Sequence, residues 1–268
     1  VVMGVAALPL MLWGISISQT AWVRKRRTFS LLVAMALLLA SYARASIVAA
    51  AVSCILFCVL TRRFRMLVAG GAIGILLAMG VAIVVPLPNS PDASTNLSSR
   101  FLFKGKDQAG ALSSRTSVWD TTIASIRQHP WFGTGFGTAL SNYDSSINQV
   151  GNFGSNAATT REHGNSYLAI VEGLGLLGVL PFAVLLIMTL TNISRVLKYF
   201  RFSKDIFSPA VPLTFVLIAG LVHALFEDWL FAVGYYTCVF FWTFGFMLVD
   251  IVPRAAGRRI SSFGSGSV

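Results

Sequence analysis

The sequence predicts an all-α protein: a polytopic bundle of transmembrane helices, about seven of them, with one large external loop containing short helices. Composition is the first reason. Of 268 residues, 55% are hydrophobic and only 12% charged, with a mean hydropathy of +0.73, whereas soluble domains carry about 25% charged residues. Half that density implies that most of the surface faces something other than water. The second reason is a series of apolar runs long enough, as helices, to cross roughly 30 Å of hydrocarbon. The third is the arrangement of Lys and Arg between those runs.

Candidate spans stand at 1–20, 29–43, 45–60, 66–86, 166–191, 208–226 and 230–251. The run Val1–Ser18 has a basic cluster after it rather than before it, the reverse of a signal peptide, and reads as a spanning helix. Val1 opens within that run, so the chain is expected to be the C-terminal part of a longer protein. Four clusters hold 14 of the 21 basic residues: Arg24, Lys25, Arg26 and Arg27; Arg62, Arg63 and Arg65; Arg195, Lys198, Arg201 and Lys204; and Arg254, Arg258 and Arg259. If the spans alternate, all four fall on one side, which the positive-inside rule makes cytoplasmic. The same grouping splits 29–60 into two helices with a turn near Arg44, because one helix of 32 residues would send the later clusters to opposite sides.

The expected organisation is therefore transmembrane helices over 1–86, a large periplasmic loop over 87–165, transmembrane helices over 166–251 and a cytoplasmic tail over 252–268. The net charge of +11 is mostly topology, with some attraction to anionic membrane lipids, and needs no nucleic acid. Cys54, Cys58 and Cys238 all lie in apolar runs and read as small buried hydrophobes; no metal site is expected from them.

The loop from Leu87 to Asn165 spans 79 residues and opens with Pro86-Leu-Pro-Asn-Ser-Pro-Asp. An unstructured stretch of that length is uncommon in a compact protein unless it has a function. A helix is expected around Ser114–Gln128, capped by Ser113 or Ser114, with Trp119, Ile123 and Ile126 on its apolar face. His129-Pro130 ends it, and Gly133-Thr-Gly-Phe-Gly137 follows.

Polar residues that can carry chemistry concentrate on the external side. Arg44 lies between two short apolar halves; it either snorkels at the interface or offers an anion site at the mouth of the bundle. Arg115 and Trp119 are one helical turn apart, and the glycine-rich turn after Pro130 can present backbone N–H groups to an anion. Arg161-Glu162-His163-Gly164-Asn165 stands just before a span, and His163 has the pKa range of a general base. His223, Glu227 and Asp228 stand at the outer end of another span, with Glu227 four residues after His223 and so on one helix face. The run Gly173-Leu-Gly-Leu-Leu-Gly178 fits the dinucleotide pattern by letter, but no strand precedes it and no acid follows at the right distance; its glycines read as a close-packing device in a spanning helix.

Together these segments resemble the C-terminal half of the O-antigen ligase/polymerase superfamily of bacterial membrane proteins. Ser41-Tyr-Ala-Arg-Ala-Ser46 is similar to the family's S-x-S-R-[GA] turn, with Tyr-Ala before the arginine. Arg115-x-x-x-Trp119 through Pro130-Trp-Phe-Gly-Thr-Gly-Phe-Gly137 resembles an R-x3-W helix ending in P-x-x-G-x-G. His163-Gly-Asn-Ser-Tyr-Leu, followed by Glu172-Gly-Leu-Gly-Leu-Leu-Gly178, resembles H-N-x-Y-L with a downstream G-x-x-G, with Gly164 standing between His163 and Asn165. The likeness covers most of residues 29–250.

The resemblance implies a metal-independent, cofactor-free, inverting glycosyltransferase of the inner membrane. It would move a glycan from undecaprenyl diphosphate to an acceptor hydroxyl outside the cytoplasm, on lipid A–core for a ligase or on a lipid-linked repeat unit for a polymerase. Arg44 and Arg115 would hold the diphosphate, since guanidinium matches phosphate geometry. His163 would activate the acceptor, tuned by Arg161 or Glu162, and Asn165, Trp119, Glu227 and Asp228 would complete the substrate surface. A transporter or flippase of lipid-linked glycans is the rival class. It would show inverted repeats and broken helices near the midplane, whereas this sequence has no internal repeat and its polar groups gather at one face.

Overall fold

The computed structural model describes residues 2–41, 43–84, 113–135, 164–232 and 235–252. Among them are eight helices and no strand. They are α1 (Val2–Ser16), α2 (Ala21–Ala40), α3 (Arg44–Leu60), α4 (Phe64–Val84), α5 (Ser113–Gln128), α6 (Ser166–Ser203), α7 (Ala210–His223) and α8 (Tyr236–Ile251). Most of the expected periplasmic loop, including Arg161, Glu162 and His163, lies outside the described residues, as do the Arg115 side chain and the tail from 253 onward.

The expected break near Arg44 is present. Ser41 closes α2, its N–H bonding back to Leu37 and its hydroxyl donating to the Leu38 carbonyl at 2.7 Å; α3 starts at Arg44. Two helices are longer than their apolar runs. α2 begins at Ala21 and takes in Arg24 to Arg27, and α6 continues to Ser203 through Arg195, Lys198 and Arg201. Lys and Arg are good helix formers, so a helix need not stop where its apolar stretch does.

α3 packs through small side chains. Ser46, Ala49, Ala50 and Ser53 are all buried, which brings its backbone close to α1 and α7. Ala49 meets Val5 of α1 and Ala219 of α7, and the Ser53 hydroxyl donates to the Phe215 carbonyl at 2.7 Å. Phe57 meets Phe215 edge to face, with centroids 5.1 Å apart. A second core joins α6, α7 and α8 around Leu217, Trp229, Leu230, Phe241 and Leu248.

The bundle has two distinct ends. Arg27 donates to the carbonyl of Gly14 and to the Ser18 hydroxyl, Arg63 donates to the Ser16 carbonyl at 3.2 Å, and the Trp13 indole donates to the Ile206 carbonyl at 2.7 Å. These bonds gather the end of α1, the start of α2, the α3–α4 turn and the α6–α7 connection. The first three basic clusters therefore share an end; Arg254, Arg258 and Arg259 lie outside the described residues.

α6 alone, among the described residues, is both long and apolar enough to cross a membrane; Val5–Ser16, Arg44–Leu60, Phe64–Gly80, Ala210–His223 and Tyr236–Ile251 are apolar but shorter. Large apolar side chains nevertheless point outward from several helices, among them Val68, Ile75 and Leu76 of α4, Leu180 and Ile187 of α6, and Val239 and Phe246 of α8.

Candidate functional site

The end opposite the basic clusters collects the polar segments singled out in the sequence, and backbone geometry explains how. α6 is broken. Gly175 has φ 64° and ψ −179°, a conformation essentially reserved for glycine. A break of this kind frees backbone groups that must find partners inside the protein. Here the turn after α5 supplies partners for four of them. Thr134 and Gly135 donate their N–H groups to the carbonyls of Glu172 and Gly173, at 2.9 and 3.0 Å. Leu176 and Leu177 donate theirs to the carbonyls of Pro130 and Trp131, at 2.9 and 3.3 Å. The two chains approach so closely that a Cβ on Gly133 would lie 2.5 Å from the Gly175 nitrogen, and one on Gly175 would run into the Trp131 carbonyl.

This corrects the sequence reading of Gly173–Gly178. The glycines do serve a close approach, but at Gly175 the partner is a turn, not a neighbouring helix, and the helix is interrupted there. The P-x-x-G-x-G and G-L-G segments are two halves of one joint. The expected apolar face of α5 is corrected in part. Trp119 and Ile126 are half-buried as expected, but Ile123 is exposed, and Thr122 and Ser125 are buried beside them.

The start of α6 is stitched to the turn after α7. Asn165 caps the helix, its side-chain oxygen accepting from the N–H groups of Tyr167 and Leu168 at 2.9 and 3.3 Å. Ser166 donates its backbone N–H to the Ala224 carbonyl at 2.9 Å. Its hydroxyl donates to the Glu227 carbonyl at 2.6 Å and accepts from the Leu230 N–H at 3.0 Å. Tyr167 donates its hydroxyl to the Leu221 carbonyl at 3.1 Å. Gly164, at φ +60°, turns the chain into this cap, and its carbonyl accepts from the Trp119 indole at 3.2 Å. The residue immediately before Gly164 is His163. So Asn165 and Trp119, expected at the substrate surface, both have polar groups engaged in holding the backbone next to His163.

His223 is also different from its sequence reading. α7 ends at His223 and residues 224–228 form a turn, so Glu227 does not share a helix face with it. The imidazole is buried, 2% exposed. The Trp229 indole donates to Nδ1 at 2.7 Å, and Nε2 is 3.0 Å from the Ser46 hydroxyl in the first turn of α3. Arg44 opens that same turn and is half-buried, and Glu227 and Asp228 are half-buried in the turn before Trp229. Sequence reasoning missed Ser46, Ser166 and Trp229. Each sits inside or beside a segment it had singled out, but nothing in the sequence reveals that Ser46 meets a residue 177 positions away.

The arrangement thus presents a polar rim on an apolar bundle: the start of α3 with Arg44, the α5 helix and its docked turn, the start of α6 next to His163, and the carboxylates of the 224–232 turn. The sequence profile of the O-antigen ligase family matches residues 28–183, more than half of the chain, from within α2 through the broken part of α6. The chain belongs to the O-antigen ligase family. That family is membrane-integral and works in lipopolysaccharide biosynthesis on lipid-linked glycans, so membership carries a membrane glycan-transfer function at the level of the family. The match ends at residue 183, so the 224–232 turn lies beyond it. A comparison with curated proteins finds no match.

Proposed function

We propose that this protein is a glycosyltransferase of the bacterial inner membrane that transfers a glycan from undecaprenyl diphosphate to an acceptor sugar hydroxyl on the non-cytoplasmic side. One observation carries the reading: the three motif-bearing segments, far apart in sequence, meet at the end of the bundle opposite the basic clusters. With those clusters cytoplasmic, that end opens to the periplasm, and the remaining apolar helices cross the membrane beside α6.

In this reading Arg44 and Arg115 hold the donor's diphosphate through charge-assisted hydrogen bonds and stabilise the charge that grows on it. His163 removes the proton from the acceptor hydroxyl. The hydroxyl oxygen forms a bond to the anomeric carbon while the bond from that carbon to the phosphate oxygen breaks. Undecaprenyl diphosphate leaves with the electron pair, and attack from the opposite face inverts the anomeric centre. Arg161 and Glu162 tune His163, and Glu227 and Asp228 contribute to the acceptor side. No step needs a metal or a nucleotide.

The test is transfer by the purified full chain with a lipid-linked donor, together with the glycan profile of a deletion strain. Loss of all capped lipid A–core marks a ligase, retention of a single repeat unit marks a polymerase, and an unchanged profile with no transfer in vitro overturns the proposal.

A further inference from the structure

The sequence of hydrogen bonds Trp229–His223–Ser46 has only one consistent assignment of protons. An indole N–H donates and never accepts. Nδ1 of His223, at 2.7 Å from it, must therefore carry the lone pair, and in the neutral ring the proton sits on Nε2. That N–H points at the Ser46 hydroxyl, 3.0 Å away. An imidazolium could not accept from Trp229. The acceptor nitrogen is consumed inside the protein, so His223 is built to hold a distance and not to take a proton from substrate.

The distance it holds matters because of what stands at each end. Ser46 is two residues after Arg44 in a helix start whose N-cap, Ala43, makes no side-chain cap bond. Trp229 directly follows Glu227 and Asp228. Ser46, His223 and Trp229 are all buried, where a hydrogen bond is firm and a lost one is costly. We infer that His223 is a positioning residue, which through Ser46 and Trp229 fixes the Arg44-bearing start of α3 against the 227–229 turn so that Arg44 meets the donor's diphosphate. This rests on the reading of Arg44 as a diphosphate ligand.

The experiment measures the dissociation constant of undecaprenyl diphosphate, in mixed micelles, for the purified full chain. Ser46→Ala and Trp229→Phe should each weaken binding about tenfold, the equivalent of about 1.4 kcal/mol. His223→Gln sets an amide N–H where Nε2 stands but leaves no acceptor for the Trp229 indole, and should match Trp229→Phe. His223→Asn keeps an acceptor where Nδ1 stands but cannot reach Ser46, and should match Ser46→Ala. In an Arg44→Ala background Ser46→Ala should cost nothing more, because coupled residues are not additive. A merely structural role predicts a lowered melting temperature with full additivity in that double variant, and this result would overturn the inference while leaving Arg44 as a ligand. Unchanged binding in Arg44→Ala itself would remove the diphosphate reading of Arg44, and the inference with it.

Discussion

The joint between the 130–135 turn and the break in α6 makes a quantitative prediction for Gly175→Ala. At φ 64° and ψ −179° a residue with a side chain costs about 1–3 kcal/mol in backbone strain. The new Cβ would also collide with the Trp131 carbonyl, so the turn must move away. The Leu176–Pro130 and Leu177–Trp131 hydrogen bonds are lost with it, each worth about 1 kcal/mol. The sum is about 3–5 kcal/mol, which lowers the melting temperature of a chain this size by roughly 10 °C. The assay is thermal unfolding of the detergent-purified protein. Gly71→Ala is the control: it lies in α4 with nothing within 4 Å of the added Cβ, where alanine favours the helix by about 0.5–1 kcal/mol. Gly133→Ala, at φ +67° against the same backbone, should behave like Gly175→Ala. If Gly175→Ala melts within a degree or two of Gly71→Ala, the break is not held by the turn, and the account of the joint is wrong.

Three further outcomes follow from the proposed chemistry. Arg44→Ala and Arg115→Ala should each abolish glycan transfer at unchanged protein level, and Arg44→Lys should also be poor, since a point charge lacks the fork of a guanidinium; normal assembly in either alanine variant takes that residue out of the site. His163→Ala should lower turnover by about 10²–10⁴-fold, the contribution of a positioned base, in an assay with purified lipid-linked donor run beside Glu162→Gln and Glu227→Gln; a carboxylate variant failing where His163→Ala works reassigns the base. A cysteine introduced by Ser145→Cys should react with a membrane-impermeant thiol reagent in intact cells, and reaction only after permeabilisation would reverse the membrane orientation.

How much of this was legible in the sequence depends on the range of the interactions involved. The helix break before Arg44 was readable because its causes are local: a serine that closes one helix, and charge clusters that demand two helices and not one. The α5 helix was readable for the same reason, since Ser113 starts it and Pro130 follows it. The face that α5 buries was readable only in part, because hydrophobicity picks out Trp119 and Ile126, which are half-buried, but ranks the exposed Ile123 above Thr122 and Ser125, which are buried. The glycine run at 173–178 announced a close approach but not its partner. The extra Gly164 looked like a departure from the family pattern; its positive φ and the Asn165 cap behind it show a turn into the helix that keeps the following Ser166 and Tyr167 on the α7 end. His223 was visible as a polar group at a helix end, but its partners come from α3 and the following turn, and only the fold brings them together.

The joint at Gly175 has a bearing on how such a protein can change. Four of its hydrogen bonds run from main chain to main chain, and the Thr134 hydroxyl adds one side-chain bond to the Glu172 carbonyl at 3.3 Å, so apart from the glycines the joint depends little on side-chain identity. Trp131 and Phe132 point outward, Phe132 being 79% exposed, and contribute nothing to the docking bonds with their side chains. Substitutions that spare the glycines and avoid proline leave the four main-chain docking bonds in place. Side chains along the joint can therefore change while its backbone geometry stays, as a tool is changed in a fixed chuck.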